Sequence, residues 1–240
     1  MLSSSQALKR VFYCPEESNF YSQCLESLVF NNDYPEKGEV VVEFGAGDGS
    51  PVIKSLLTTS FEGTIHGFEL NPLAANIARA QIQEYELSDK YIIHNSSFFT
   101  SDLPKGGYLI SNPPYLPAED DKIYQPLLHG GRDGSRIARQ LLSLGYENVL
   151  LMVSSYSHPV GLIEYALEEG YNVTNFMVSP LSFGYYSSEL KVRNTIAALR
   201  EKEMAFYSPN IYLLAGVLFR KQHKFGTDLS KELIQLMTCL

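Results

Sequence analysis

The sequence predicts an α/β fold built on a doubly wound, seven-stranded, mostly parallel sheet. Seven short runs are rich in β-branched residues and largely apolar on both faces, the pattern of central strands covered by helices. Between them lie segments with helical spacing, and alternation of this kind gives crossover connections and a doubly wound sheet. The 240 residues suffice for one large domain with a full core but are too few for two comfortable ones, so a single domain spanning 1–240 is expected.

The predicted strands are EVVVEF (39–44), GTIHGFEL (63–70), KYIIH (90–94), YLIS (108–111), NVLLMVS (148–154), YNVTNFMV (171–178) and IYLLAGVLF (211–219). The predicted helices are SPVIKSLLTT, NPLAANIARAQIQEYE, GSRIARQLLSLG and HPVGLIEYALEEG, with Asn71, Pro72 and Pro159 near helix starts and Gly145 and Gly170 at stops. The connection between the last two strands, 180–210, exceeds the usual length and is expected as an insertion near the substrate cleft, with a helical part in SSELKVRNTIAALREKEMAF that equally suits a structural flap without a role in chemistry. A segment at 1–37 precedes the sheet.

Composition narrows the function classes. Hydrophobic residues make up 45% without a run long enough for a transmembrane helix, and the start MLSSSQALKRVFYC has no apolar secretory core, so neither membrane association nor export is expected. Cys14, Cys24 and Cys239 are scattered and unpaired in motif, which argues against a disulfide framework or zinc site and for a cytoplasmic setting. The formal charge of −8 disfavours broad attachment to nucleic acid. Arg132, Arg136 and Arg139 offer a local basic rim, although this spacing equally describes the solvated face of a helix. His129 and His158 lie near the predicted cleft, but no histidine or cysteine cluster implies a metal.

The first strand ends in VVEFGAGDGS. Gly45, Ala46, Gly47 and Gly49 form the first strand-to-helix turn, where a doubly wound sheet receives its ligand, and glycines let the backbone approach it closely. Ser50 stands where a dinucleotide fingerprint needs glycine, and no GK[ST] follows. Glu43, just before the loop, is unsuited to a pyrophosphate and suits a ligand with a cationic amino-acid end. Glu69 ends the second strand 24 positions after Gly45, close to the spacing at which a carboxylate accepts from both hydroxyls of a ribose. Leu70 follows it, and the third strand runs into Ser96, Ser97 and Phe98, which offer a hydroxyl and an apolar face to adenine.

The fourth strand runs straight into Asn112, Pro113, Pro114 and Tyr115, an amide, imide carbonyls and an aromatic ring at a strand's carboxyl end. With the glycine loop and Glu69, this SNPPY stretch resembles the [DN]PP[YF] motif of class I methyltransferases that use S-adenosylmethionine. The resemblance implies a Rossmann-like methyltransferase fold with an antiparallel last strand. It also implies that the Asn112 oxygen and the Pro113 carbonyl accept hydrogen bonds from the NH2 of the target nitrogen while Tyr115 packs on its planar group. YCPEESNF (13–20) is similar to the pre-sheet segment of the release-factor glutamine N5-methyltransferases, which folds over the cofactor. Pro15, Glu17 and Phe20 match, while Ser18 and Asn19 stand where Asp and Thr are usual. LLHGGRDGSRIARQLL (127–142) resembles the GG[RE][DN]G segment of the same enzymes. Ser97 replaces their adenine-binding aspartate, and the short form without an amino-terminal helical domain is expected.

These features lead to the expectation of an S-adenosylmethionine-dependent N-methyltransferase acting on a protein glutamine amide. The partner expected is a protein substrate, of the translation-factor type that the resemblance implies, with room for a small activator subunit. The competing expectations are an exocyclic adenine amine in DNA or RNA, a small-molecule amine, and a non-catalytic adenosyl-binding domain. Charge favours the protein target over nucleic acid.

Overall fold

The computed structural model describes residues 11–31, 38–222 and 226–240. Of the segment expected before the sheet, 1–10 and 32–37 lie outside the described residues. Seven strands form one sheet in the order β3-β2-β1-β4-β5-β7-β6. They are β1 (Val40–Phe44), β2 (Thr64–Phe68), β3 (Tyr91–His94), β4 (Tyr108–Ser111), β5 (Asn148–Ser154), β6 (Tyr171–Ser182) and β7 (Ile211–Lys221). β1 runs parallel to β2 and β4, and β2 to β3, whereas β7 runs antiparallel to both β5 and β6. The expected fold class is therefore observed, including the reversed last strand.

The chain divides into two compact units, Met1–Asn112 and Pro113–Leu240. In the first, α1 (Pro15–Leu25) continues into a π-helical turn at Glu26–Phe30, and α2 (Ser50–Thr58) and α3 (Pro72–Glu84) follow β1 and β2. The helix starts follow local chemistry. Asn71 caps α3 by accepting from the Leu73 amide at 3.0 Å, and Pro72 occupies the first turn, where its missing N–H is not needed. Ala74, Ala75, Ala78 and Ile82 form the buried stripe of α3, and Val52, Ile53 and Leu56 that of α2. Val41, Val42, Ile65, Leu109 and Ile110 on the strands are fully buried. Two buried serines join α1 to α2, Ser22 Oγ and Ser55 Oγ lying 3.0 Å apart.

The second unit contains α4 (Arg136–Leu142), α5 (Pro159–Glu168), α6 (Leu190–Arg200) and α7 (Ser230–Met237) together with β5, β6 and β7. β6 runs to Ser182, four residues past its expected end, because Val178 to Ser182 pair with Ala215 to Ile211 of β7. Pro180 is tolerated there since β6 is the outer strand of the sheet order. The insertion accordingly starts at 183. Its helical part is α6, shorter than the expected helical stretch.

Candidate active site

In the first unit, Gly45, Gly47 and Gly49 all adopt left-handed φ, at 73°, 58° and 77°. Only glycine takes this conformation three times in five residues without strain. A Cβ added at Gly45 or Gly47 would meet no atom within 4 Å, so the loop backbone borders open space. The Gly45 and Ala46 amides both donate to the Phe68 carbonyl, at 2.9 and 3.1 Å, which anchors the loop on β2. Asp48 holds the start of α2 through the Ser50 amide and hydroxyl, at 3.0 and 2.7 Å.

Glu69 stands beside this loop. Its Oε2 accepts from the Gly47 amide at 2.8 Å and its Oε1 from the Asn71 amide at 2.6 Å. One carboxylate thus braces both the glycine loop and the cap of α3, and each oxygen keeps a second lone pair for another donor. Burial raises its pKa above the ordinary value, partly offset by these amides. Leu70, the next residue, is 57% exposed.

Glu43 occupies a different environment from the one its position in sequence implied. It is 1% exposed, and its carboxyl accepts from the Tyr91 hydroxyl and, at 3.4 Å, from the Tyr21 hydroxyl. Desolvation pushes its pKa up to about 8 against the lowering effect of the two tyrosines. The Tyr21 contact ties this carboxyl to α1. On that helix Glu17 is buried, Ser18 is half-buried, and Asn19 is exposed and accepts from Lys54 Nζ at 3.0 Å.

After β3, Ser96 and Ser101 pair through their hydroxyls at 2.9 Å, and the Ser101 hydroxyl also donates to the Ser97 carbonyl at 2.7 Å. Phe98 is buried edge-on against Phe44 and Phe68, whereas its neighbour Phe99 is exposed. The open aromatic face of this segment is therefore that of Phe99. At the end of β4 the Asn112 side-chain oxygen is buried without a hydrogen-bond partner. Such an orphan is costly, and its presence in a native fold calls for an explanation.

In the second unit, the backbone of the motif is held closely. A Cβ on Gly130 would stand 2.7 Å from both the Pro114 carbonyl oxygen and Tyr115 Cα, and one on Gly134 would stand 2.5 Å from the Tyr115 carbonyl oxygen. The GGRDG glycines are thus required by close approach to Pro114 and Tyr115. Leu116 pairs with this segment, its amide donating to Leu128 O at 3.1 Å and its carbonyl accepting from the Gly130 amide at 2.9 Å. Tyr115 is buried, with its ring 5.8 Å from that of Tyr156.

Comparison with solved structures shows that this architecture is a known one. A Pyrococcus horikoshii protein described as a candidate RNA methyltransferase superposes with a TM-score of 0.59 at 14% identity, covering 91% of this chain and 89% of that one. A methyltransferase from Geobacter sulfurreducens, solved with S-adenosyl-L-homocysteine, gives 0.51 at 12% identity, covering 87% and 92%. The fold is that of the class I methyltransferases.

By sequence, the chain matches the release factor glutamine methyltransferase of Thermosynechococcus vestitus at 31% identity over 114 residues, 42% of this chain and 39% of that protein. A Methanocaldococcus jannaschii protein named as a candidate N5-glutamine methyltransferase is 29% identical over 120 residues, 48% of this chain and 56% of the other. The matches therefore span less than two thirds of either relative. No family model matches the chain.

Within this methyltransferase fold several polar residues take roles that sequence patterns did not assign. His158, left-handed at φ 51° at the start of α5, places Nδ1 3.2 Å from Asp133 Oδ2. Burial pushes the Asp133 carboxyl up, but bonds from His158 and Ser135 outweigh it and hold the pKa down at about 2. His129 lies 2.9 Å from the Ala118 carbonyl oxygen through Nε2. Arg139 bonds Ser135 Oγ and the Gly161 carbonyl, and exposed Arg132 pairs with Glu119 at 3.3 Å. Ser157 donates to the Tyr115 carbonyl at 2.7 Å, and nothing in its local sequence marks it. Among the described residues no group of three or more histidine, cysteine or acidic side chains could hold a metal ion, and no helix is long and apolar enough to cross a membrane.

Proposed function

We propose that this protein is an S-adenosylmethionine-dependent N-methyltransferase acting on the side-chain amide of a protein glutamine. The observation that carries the reading is the buried, unpartnered Oδ1 of Asn112 at the end of β4, an acceptor without a donor. The residues of the first unit fit the cofactor: the glycine loop borders open space at Gly45 and Gly47, and Glu69 keeps acceptor capacity beside it for a ribose diol. Ser18, Asn19, Leu70, Ser96 and Ser97 complete the proposed set, with Phe99 rather than Phe98 offering the open ring.

When bound, S-adenosylmethionine supplies an electrophilic methyl group on a sulfonium. The chain's own task is orientation. An amide nitrogen is a poor nucleophile because its lone pair is delocalised, so Asn112 Oδ1 and the Pro113 carbonyl accept from its NH2 and favour the pyramidal form that exposes the lone pair. These acceptors bind more tightly as positive charge develops on nitrogen, and no base is needed before transfer. Tyr115 forms the flat wall against the acceptor's planar group.

Two features support glutamine over adenine as the target. The curated relatives are named for glutamine methylation, and a net charge of −8 disfavours broad attachment to a nucleic-acid substrate. A translation factor is the proposed substrate type and the cytoplasm the proposed setting, with a small activator subunit as a further partner to test. Incubation with methyl-labelled S-adenosylmethionine and separated protein, RNA and DNA fractions of a cell extract tests the reading. Label recovered as N5-methylglutamine is expected. Label confined to RNA or DNA would transfer the assignment to adenine, and no label in any fraction would reject it.

A further inference from the structure

β5 is almost wholly apolar, yet it runs into Ser154-Ser155-Tyr156-Ser157-His158, a turn in which the three serines and Tyr156 are buried. Buried hydroxyls persist where they are satisfied, and here those of Ser155 and Ser157 are spent on different segments of the second unit. Ser155 Oγ donates to the Phe206 carbonyl at 2.6 Å and accepts from the Leu213 amide at 3.0 Å, while the Phe206 amide donates to the Ser155 carbonyl at 2.9 Å. The His158 amide donates to the Met204 carbonyl at 3.0 Å. Ser157 Oγ donates to the Tyr115 carbonyl at 2.7 Å. One five-residue turn therefore binds the end of the insertion at Met204 and Phe206 and the motif tyrosine at its backbone.

A second connection runs in parallel through rings. Tyr156 lies 5.8 Å from Tyr115 on one side and stacks on Phe183, the first residue of the insertion, at 5.5 Å and 24° on the other. The Arg193 guanidinium from α6 covers Phe183 at 3.7 Å from the ring centroid. Both ends of the insertion thus meet the residues that hold Tyr115. Close-packed interiors transmit displacement because they contain little free volume to absorb it.

We propose that the 154–158 turn is a positioning element through which the insertion 183–210 sets the placement of Tyr115, with Ser157 of the turn and Phe183 of the insertion as the two positioning residues. The inference rests on the reading of Tyr115 as part of the methyl-acceptor site. The insertion would then affect catalysis without touching the reacting atoms, since small misplacements of orienting groups cost large factors in rate.

The test uses the full chain with a 3-fluoro label on Tyr115, read by fluorine NMR, beside methyl transfer and cofactor titration. Ser157→Ala and Phe183→Leu should each shift or broaden the Tyr115 resonance and slow methyl transfer about tenfold or more, with cofactor affinity unchanged. Their double variant should be slowed by clearly less than the product of the two single effects, since both act through one turn. Where Phe183→Leu fails to fold, Arg193→Lys supplies the milder perturbation of the same stack. A folded insertion-side variant that leaves the Tyr115 resonance unmoved overturns the proposal. Absence of any methyl transfer by the wild type would instead overturn the activity reading, and the fluorine signal would still decide the coupling.

Discussion

Tyr91 on β3 donates its hydroxyl to the Glu43 carboxyl on β1, reaching across β2, which lies between the two strands. The crossing takes place over Gly67. Glu43 and Gly67 are register partners, and a Cβ on Gly67 would stand 2.8 Å from the Tyr91 ring. Absence of a side chain at one position therefore allows a buried carboxyl to be satisfied two strands away. Tyr21 closes the arrangement from α1 at 3.4 Å, which ties the helix before the sheet to the strand that leads into the glycine loop.

This arrangement predicts a pH-dependent stability. Burial raises the Glu43 pKa from 4.5 to about 8, so between these values the folded chain keeps a proton that the unfolded chain releases. Its contribution is whole below about 4.5 and is lost as pH rises through about 8, with a span on the order of a few kcal/mol. Denaturant midpoints measured from pH 5 to 9 should fall with pH, and Glu43→Gln should flatten that slope. An unchanged slope in the variant would place the titration elsewhere.

Gly67→Ala should destabilise the protein by about 1–3 kcal/mol, the cost of forcing extra volume into a packed site. Its added Cβ would crowd Tyr91, Ile93 and Ala46 together. A thermal melt gives the answer, and wild-type stability would mean that Tyr91 can move aside freely.

Glu69→Ala should weaken S-adenosylmethionine binding by about 1.5–3 kcal/mol, the range for hydrogen bonds to a charged group. The same change frees the Gly47 and Asn71 amides, so some loss of stability accompanies it. Calorimetric titration measures the affinity. Wild-type affinity in this variant, together with binding of NAD, would contradict the cofactor assignment.

Tyr124 and Tyr185 are 59% and 60% exposed with rings 5.3 Å apart, one following the motif and the other in the insertion. Their segments are joined by the Tyr124 amide donating to Glu189 at 2.6 Å and by the Lys191–Asp120 ion pair. Tyr185→Ala should raise KM for the methyl acceptor several-fold while leaving cofactor affinity and melting temperature nearly unchanged, as expected for an exposed side chain. Steady-state kinetics with varied acceptor distinguish this from an unaltered KM, which would make the surface incidental.

The elements of the fold were legible because their signals are local. Apolar runs such as NVLLMVS are strands by pattern alone, and Asn71-Pro72 announces a helix by its own chemistry. The end of β6 was not legible, since pairing with β7 carries it past a proline that reads as a stop. In the candidate site, Glu69 and Asn112 stand out by their position at strand ends. The environment of Glu43 does not, because Tyr91 lies 48 positions away and its approach depends on a glycine in a third segment. Ser157 is similarly silent: its partner is a backbone carbonyl 42 positions distant, and a serine in a turn is ordinary.

Asn112 tests the account most directly, because its buried oxygen is assigned to the acceptor nitrogen and not to the cofactor. Single-turnover transfer from methyl-labelled S-adenosylmethionine to the labelled protein fraction should fall roughly a hundredfold or more in Asn112→Ala, the scale for losing one preorganised electrostatic contact. Cofactor affinity, titrated in parallel, should stay within a few-fold of wild type, and Asn112→Asp should be less damaging because it retains an acceptor oxygen. Transfer by Asn112→Ala at the wild-type rate would contradict the account and leave the Asn-Pro-Pro-Tyr stretch as a turn without a catalytic role.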